Sequence, residues 1–190
     1  IDKETLEALS RSAFPVLDAK AGKKMQEAIL AAKAEGDSVG GIIECAVNGL
    51  PAGLGEPFFS SIESEVASMM FSIPAVKGVE FGAGFAFAGM KGSEANDPII
   101  LKDGKLKTLT NHNGGINGGI TNGMPLVLRV AVKPTPSIAK PQKTVDLLTM
   151  QEKTIEVKGR HDPCIVPRAV PVIEAGLAIC LLDAWCREGC

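Results

Sequence analysis

The clearest pattern in the chain is the alternation in MPLVLRVAVK. Leu126, Leu128, Val130 and Val132 face one way, and Val127, Arg129, Ala131 and Lys133 the other. Successive side chains of a strand point to opposite faces, so the segment is predicted to be a half-buried strand. SVGGIIECAVNGLPAG repeats the pattern, with Val39, Gly41, Ile43, Cys45 and Val47 on one side and turn residues at its end. AVKGVEFGAGF also reads as a strand, its glycines marking close backbone approach.

Helical spacing appears three times. Met25, Ile29 and Ala32 follow a capping Asp18 and precede a stop at Gly36. Ile62, Val66, Met69 and Met70 follow a capping box formed by Ser60 and Glu63. A final helix is expected from about Pro171 to Arg187. Asp103-Gly104 predicts a hairpin turn, and TVDLLTMQEKTIEVKG a second, weaker hairpin. Helices and strands mix without a regular βα repeat, which predicts an α+β fold with largely antiparallel sheet and packed helices. No internal repeat or low-complexity linker divides residues 1–190, so they read as a single domain.

Composition narrows the function classes. A hydrophobic fraction of 45% and a charged fraction of 22% are ordinary for a globular core. A formal net charge of −2 removes the electrostatic case for nucleic acid. AVPVIEAGLAICLLDAWC is the richest apolar run, but Glu174 and Asp183 interrupt it, so an amphipathic or buried helix is expected there and not a membrane span. No basic-plus-apolar leader is present and the chain opens IDKETLEAL, without an initiator Met. Five cysteines, odd in number and without C-x-x-C spacing, read as reduced thiols in a cytoplasmic protein.

Candidate chemistry lies in three stretches. NHNGGINGGITNG (111–123) is a Gly-rich loop that can cradle an anion, lie against a flat ring, or form a long hairpin turn. Lys133, Thr135 and Ser137, stiffened by Pro134 and Pro136, form a plausible phosphate holder: one point charge plus hydroxyl donors. The bland alternative is a solvated strand face followed by a Pro-rich loop. GRHDPC places Arg160 and Asp162 on one side of an extended segment and His161 on the other. That pair could bind an anion and move a proton, or could simply position the last helix. His112 and His161 have no partners at ligand spacing, so no metal site is expected. GAGF is followed by Phe87 where a dinucleotide motif needs glycine.

GDSVGGIIECAVNGLPAGLGEPFF, SIPAVKGVEFGAGF, NHNGGINGGITNG, VKPTPSI and GRHDPC with PRAVPVIEA, in that order, resemble the C-terminal part of the chorismate synthase family. The resemblance covers nearly the whole chain. It implies a β-α-β sandwich fold, a homotetramer and an enzyme of the shikimate pathway. The implied reaction is a 1,4-anti elimination of phosphate from 5-enolpyruvylshikimate 3-phosphate, giving chorismate and requiring reduced FMN. Carried over by motif, Gly118 resembles a flavin-contacting position and Pro74 with Ala75 a pair near the ring system. Lys133, Pro134, Thr135, Pro136 and Ser137 resemble the segment that holds the phosphate-bearing chain of the flavin. Arg160 matches the arginine of the flavin and substrate site, and Asp162 the aspartate that relays the proton.

Departures accompany the resemblance. Pro74 stands where many relatives have Asn, and Pro136 where Ser is common. Gly176 replaces a large apolar residue, which is expected to weaken the last helix by roughly 1 kcal/mol against Ala. The N-terminal part of the family, with further substrate-binding arginines and a catalytic histidine, is not in the sequence. The chain therefore reads as a fragment, inactive alone. The alternative is a non-catalytic module that binds an anion or flavin, or assembles.

Overall fold

The structure is a computed structural model that describes residues 3–102 and 104–188. Two compact units divide the chain. One comprises Ile1–Gly41 with Lys133–Ala169, the other Ile42–Val132 with Val170–Cys190.

The first unit carries α1 (Lys3–Arg11) and α2 (Ala19–Ala34). The carboxylate of Asp18 accepts from the N–H groups of Lys20 and Ala21, as an N-cap should, and Gly36 follows the helix with φ +69°. Both ends of α2 lie where its pattern predicted. Met25 nevertheless faces solvent, while Ala32 is buried.

The second unit is built on a three-stranded sheet of order β1-β7-β2. Its strands are β1 (Gly41–Val47), β2 (Val76–Phe81) and the central β7 (Leu126–Val132), with β2 antiparallel to β7. Leu126, Leu128, Val130 and Val132 are all buried, in the alternation read from sequence. Burying a side chain of this size contributes about 1.5–3 kcal/mol, so this strand anchors the core.

Helix α3 (Ile62–Ser72) buries Ile62, Val66 and Met70. Its cap is Ser61, whose hydroxyl accepts from the Ser64 N–H at 3.1 Å, one residue later than the expected box. Ser60 instead ends a 3-10 turn, Phe58–Ser60, whose backbone leads into the cap. Between β2 and β7 run α4 (Gly92–Ala95), a hairpin of β3 (Ile99–Lys102) with β4 (Lys105–Thr108), and a minimal hairpin of β5 (Ile116–Asn117) with β6 (Ile120–Thr121). The expected turn falls between β3 and β4, but its Asp103 lies outside the described residues. The weaker hairpin is also present, as β8 (Gln142–Asp146) paired with β9 (Gln151–Ile155) in the first unit.

Helix α5 spans Val166–Arg187 and begins five residues before its expected start. Pro171 lies inside it, where the ring removes one backbone donor. By length and composition alone α5 is long and apolar enough for a membrane span, as core helices of soluble proteins can also be. In the second unit it buries Ile173, Gly176, Leu177, Leu181 and Ala184, while Val172, Ile179, Leu182 and Trp185 are exposed. A Cβ on Gly176 would stand 3.3 Å from Met70 Cε and 3.5 Å from Ile73 Cδ1. The glycine, expected to weaken the helix, also lets α5 approach α3 closely.

Candidate functional site

In the second unit, the loop 111–123 is less bare than its composition suggested. Asn111 Nδ2 donates to the Pro125 carbonyl at 2.8 Å, and Asn111 Oδ1 accepts from the Gly115 N–H at 2.9 Å. Thr121 is buried; its hydroxyl donates to the Pro51 carbonyl and accepts from the Leu54 N–H. The Gly119 carbonyl accepts from the Ile62 N–H at 3.0 Å, which ties the loop to the start of α3.

The glycines divide into two kinds. A Cβ on Gly114 would stand 2.5 Å from the Gly82 nitrogen, and one on Gly115 2.6 Å from the Pro125 carbonyl oxygen. These residues are small because other backbone passes against them. Gly118 is exposed, and nothing lies within 4 Å of its missing Cβ. Gly118 and Gly119 form a two-residue tip between the paired Asn117 and Ile120, with φ of +61° and +89°, the pattern of a type I′ turn. Gly118 thus belongs to the hairpin turn and also presents open backbone, while Gly114 and Gly115 are packed.

Pro74 and Ala75 join α3 to β2. The Val76 N–H donates to the Ile73 carbonyl at 3.3 Å, closing a four-residue turn. Proline at its second position and positive φ at its third are the type II pattern. The third position normally takes glycine, yet Ala75 holds φ +75°. Backbone strain of this kind costs about 1–2 kcal/mol. It sits at one of the positions that the resemblance assigns to the flavin.

In the first unit, Lys133, Pro134, Pro136 and Ser137 are exposed. The Thr135 carbonyl accepts from Ser38 Oγ at 2.7 Å. Thr135 Oγ1 is buried and has no hydrogen-bond partner. A buried hydroxyl left unpaired is uncommon and calls for an explanation. Arg129, expected to share a strand face with Lys133, is committed elsewhere in the second unit. Its Nε lies 2.9 Å from Glu80 Oε1, and Nη2 donates to the Gly82 carbonyl at 3.1 Å.

The stretch 156–165 resolves the Arg–Asp question differently from its sequence reading. Arg160 is exposed, and the ion pair of Asp162 is made with Arg168 of α5. Asp162 Oδ1 accepts from the Cys164 N–H at 3.4 Å. Sequence proximity favoured Arg160; Arg168, six residues after Asp162, was not singled out. His161 Nε2 lies 2.7 Å from the Val157 carbonyl, a local packing role in line with its opposite facing.

Sequence reasoning also missed Asp97. Its side chain is only 3% exposed and accepts hydrogen bonds from Thr110, His112 and Asn113. Burial pulls this carboxyl up, but those hydrogen bonds outweigh it and hold it at about 2. The local signal was slight: one Asp before Pro98, in a segment read only for its hairpin.

Antiparallel sheet, packed helices and Gly-rich loops laced onto the core define an α+β protein. Comparison with known proteins narrows this class. The family model for chorismate synthase matches residues 2–186. A chorismate synthase of Archaeoglobus fulgidus is 52% identical over 187 residues, covering 98% of this chain and 52% of the relative. One from Korarchaeum cryptofilum is 59% identical over 165 residues, covering 87% of this chain and 46% of the relative. A crystal structure of chorismate synthase superimposes with TM-score 0.77 at 34% identity, over 96% of this chain and 48% of that one. The chain belongs to the chorismate synthase family. It spans about half the length of the curated relatives it matches.

Proposed function

We propose that this chain is the C-terminal, flavin-holding part of a chorismate synthase. The whole enzyme is a carbon–oxygen lyase of the shikimate pathway. It removes phosphate from 5-enolpyruvylshikimate 3-phosphate by 1,4-anti elimination, giving chorismate, with reduced FMN as cofactor. The observation that carries the reading is 52% identity to a chorismate synthase across 98% of the chain. A cytoplasmic homotetramer is the corresponding state of the full-length protein.

Two structural features fit the cofactor. Thr135 Oγ1 is a buried hydroxyl without a partner, in the segment proposed to hold a phosphate-bearing chain. Gly118 offers backbone with open space in front of it, suited to a flat ring. When bound, reduced FMN lends electron density as phosphate leaves.

The residues of the chain then divide the work. Lys133 supplies a point charge, and Thr135 and Ser137 supply hydroxyls, for the phosphate of the cofactor. Pro134 and Pro136 hold that segment extended. Pro74, Ala75 and Gly118 present backbone to the ring system. Arg160, which is exposed, binds the anionic groups of flavin and substrate. Asp162 accepts the proton, with Arg168 fixing the direction of its carboxylate.

Phosphate departure builds negative charge that cations must stabilise. Arg160 is one such cation, and the remaining half of the enzyme is proposed to supply the others, leaving this chain inactive alone. The test is phosphate release from the substrate with reduced FMN under anaerobic conditions. Full-length protein should turn over and the 190-residue chain should not. In the full-length protein, Lys133→Ala should weaken FMN binding about tenfold, read by quenching of flavin fluorescence. Turnover by the 190-residue chain would refute its inactivity; undiminished FMN binding by the variant would refute the role of Lys133.

A further inference from the structure

Asp97 lies between α4 and β3, outside every stretch to which the proposed chemistry assigns a role. A carboxylate that is only 3% exposed needs donors to replace its water. It has four. Thr110 Oγ1 donates to Oδ1 at 2.6 Å, and the His112 N–H donates to the same oxygen at 2.8 Å. The Asn113 N–H and Asn113 Nδ2 donate to Oδ2 at 2.9 and 2.8 Å. All four come from residues 110–113, where the Gly-rich loop begins. Two successive backbone N–H groups turned onto one anion form the concavity that loops offer to bound anions. Here the anion is a side chain of the protein.

Beyond this clamp the loop has little freedom. Asn113 leads directly to Gly114, which sits against Gly82, and Gly115 is held by Asn111. Three residues further on, Gly118 forms the exposed tip. Gly118 meets nothing at its open side, while its neighbour Gly119 is bonded to the start of α3, so the tip is held from two ends: by that bond and by the clamp on residues 112–113. His112 Nδ1 lies 3.7 Å from Asp97 Oδ1, beyond hydrogen-bond range, and is buried without a partner. The carboxylate therefore acts on the backbone of His112 and not on its ring.

We propose that Asp97 is a positioning residue for the cofactor: it clamps the start of the Gly-rich loop and so sets how well Gly118 meets the flavin. The inference rests on the reading of that loop as a flavin-contacting turn. Asp97 touches no reacting atom; it acts through residues 112–118.

Asp97→Asn keeps the size of the side chain but removes its charge and turns one acceptor into a donor that faces other donors. The variant is compared with the unsubstituted full-length protein by amide hydrogen exchange and by FMN fluorescence quenching. The expected result is at least tenfold faster exchange confined to residues 112–119, with exchange at Leu128 and Val130 in β7 within twofold. FMN affinity should fall at least tenfold in the same variant. Thr110→Val, which removes one of the four donors and leaves the charge, should give smaller changes in the same direction if Asp97→Asn does not fold. Unchanged FMN affinity despite loosened exchange would overturn the proposal, as would faster exchange spread evenly over β7 and the loop. No FMN binding by the unsubstituted protein would sink the flavin reading itself, and the confined exchange effect would still uphold the clamp.

Discussion

The two histidine-bearing stretches, 111–123 and 156–165, are held in opposite ways. In the first, the side chains of Asp97 and Asn111 bond the backbone of the loop, the Thr121 hydroxyl ties it to Pro51 and Leu54, and buried glycines let neighbouring backbone close in. In the second, the Asp162–Arg168 ion pair stands largely at the surface, and Gly159 has nothing within 4 Å of a Cβ position. Exposed ion pairs contribute about 0–1 kcal/mol, whereas interior packing faults cost several. The first loop should therefore respond to substitution through stability, and the second through chemistry alone.

Asp162→Ala tests the second half of that contrast and carries the largest expected effect. In the full-length protein, turnover should fall about 10²–10⁴-fold, the usual range for a lost acid–base group. Stability should change by less than about 1 kcal/mol, measured by denaturant melting. A large stability loss would make Asp162 a structural residue and erase the distinction.

Gly114→Ala tests the first half. A methyl 2.5 Å from the Gly82 nitrogen, at φ +62°, should destabilise by about 3 kcal/mol or more. Gly118→Ala, at φ +61° but with open space, should cost only about 1–2 kcal/mol. Equal losses in thermal melts would mean that the two glycines do not differ in kind.

Acid should loosen the first loop selectively. The Asp97 carboxyl sits at about 2 when folded, against an ordinary value of 3.8. A depressed value means stability that is complete above the unfolded value and lost as pH falls through the folded one. The Asp97 contribution, about 2 kcal/mol, should thus be intact above about pH 4 and fade toward pH 2. Denaturant midpoints of the unsubstituted protein and Asp97→Asn should converge over that interval. Parallel curves would remove Asp97 from the account.

Ala75→Gly carries the smallest expected effect. It relieves a positive φ at the third position of a type II turn and should stabilise by about 1 kcal/mol, or about 2–4 °C in a melt. No gain would show that the turn is not strained.

What the sequence made legible follows from the range of each interaction. The alternation of β7 was readable because one buried face dictates every second residue. The start of α2 was readable because Asp18 caps within three residues. The cap of α3 slipped by one, since Ser60 and Ser61 are adjacent and only backbone geometry separates them. The start of α5 was missed because Pro171 looks like a first-turn residue, yet Pro167 already occupies that turn. Within the candidate site, Gly118 and the 133–137 segment were named from local composition and family likeness. Asp97 was not, because its partners lie 13–16 residues away and no local pattern announces them. Arg168 was passed over for the nearer Arg160, although it is the residue that pairs with the carboxylate.

The tip at Gly118 has one more implication. A molecule arriving at a floppy segment must spend part of its binding free energy on stilling it. The residues on either side of it are already bonded to the rest of the unit, so on the proposed flavin reading the tip would serve as a ready-cast shelf. Under that reading, any change that slackens its supports shows as a weaker hold on the guest, even where the guest is never touched.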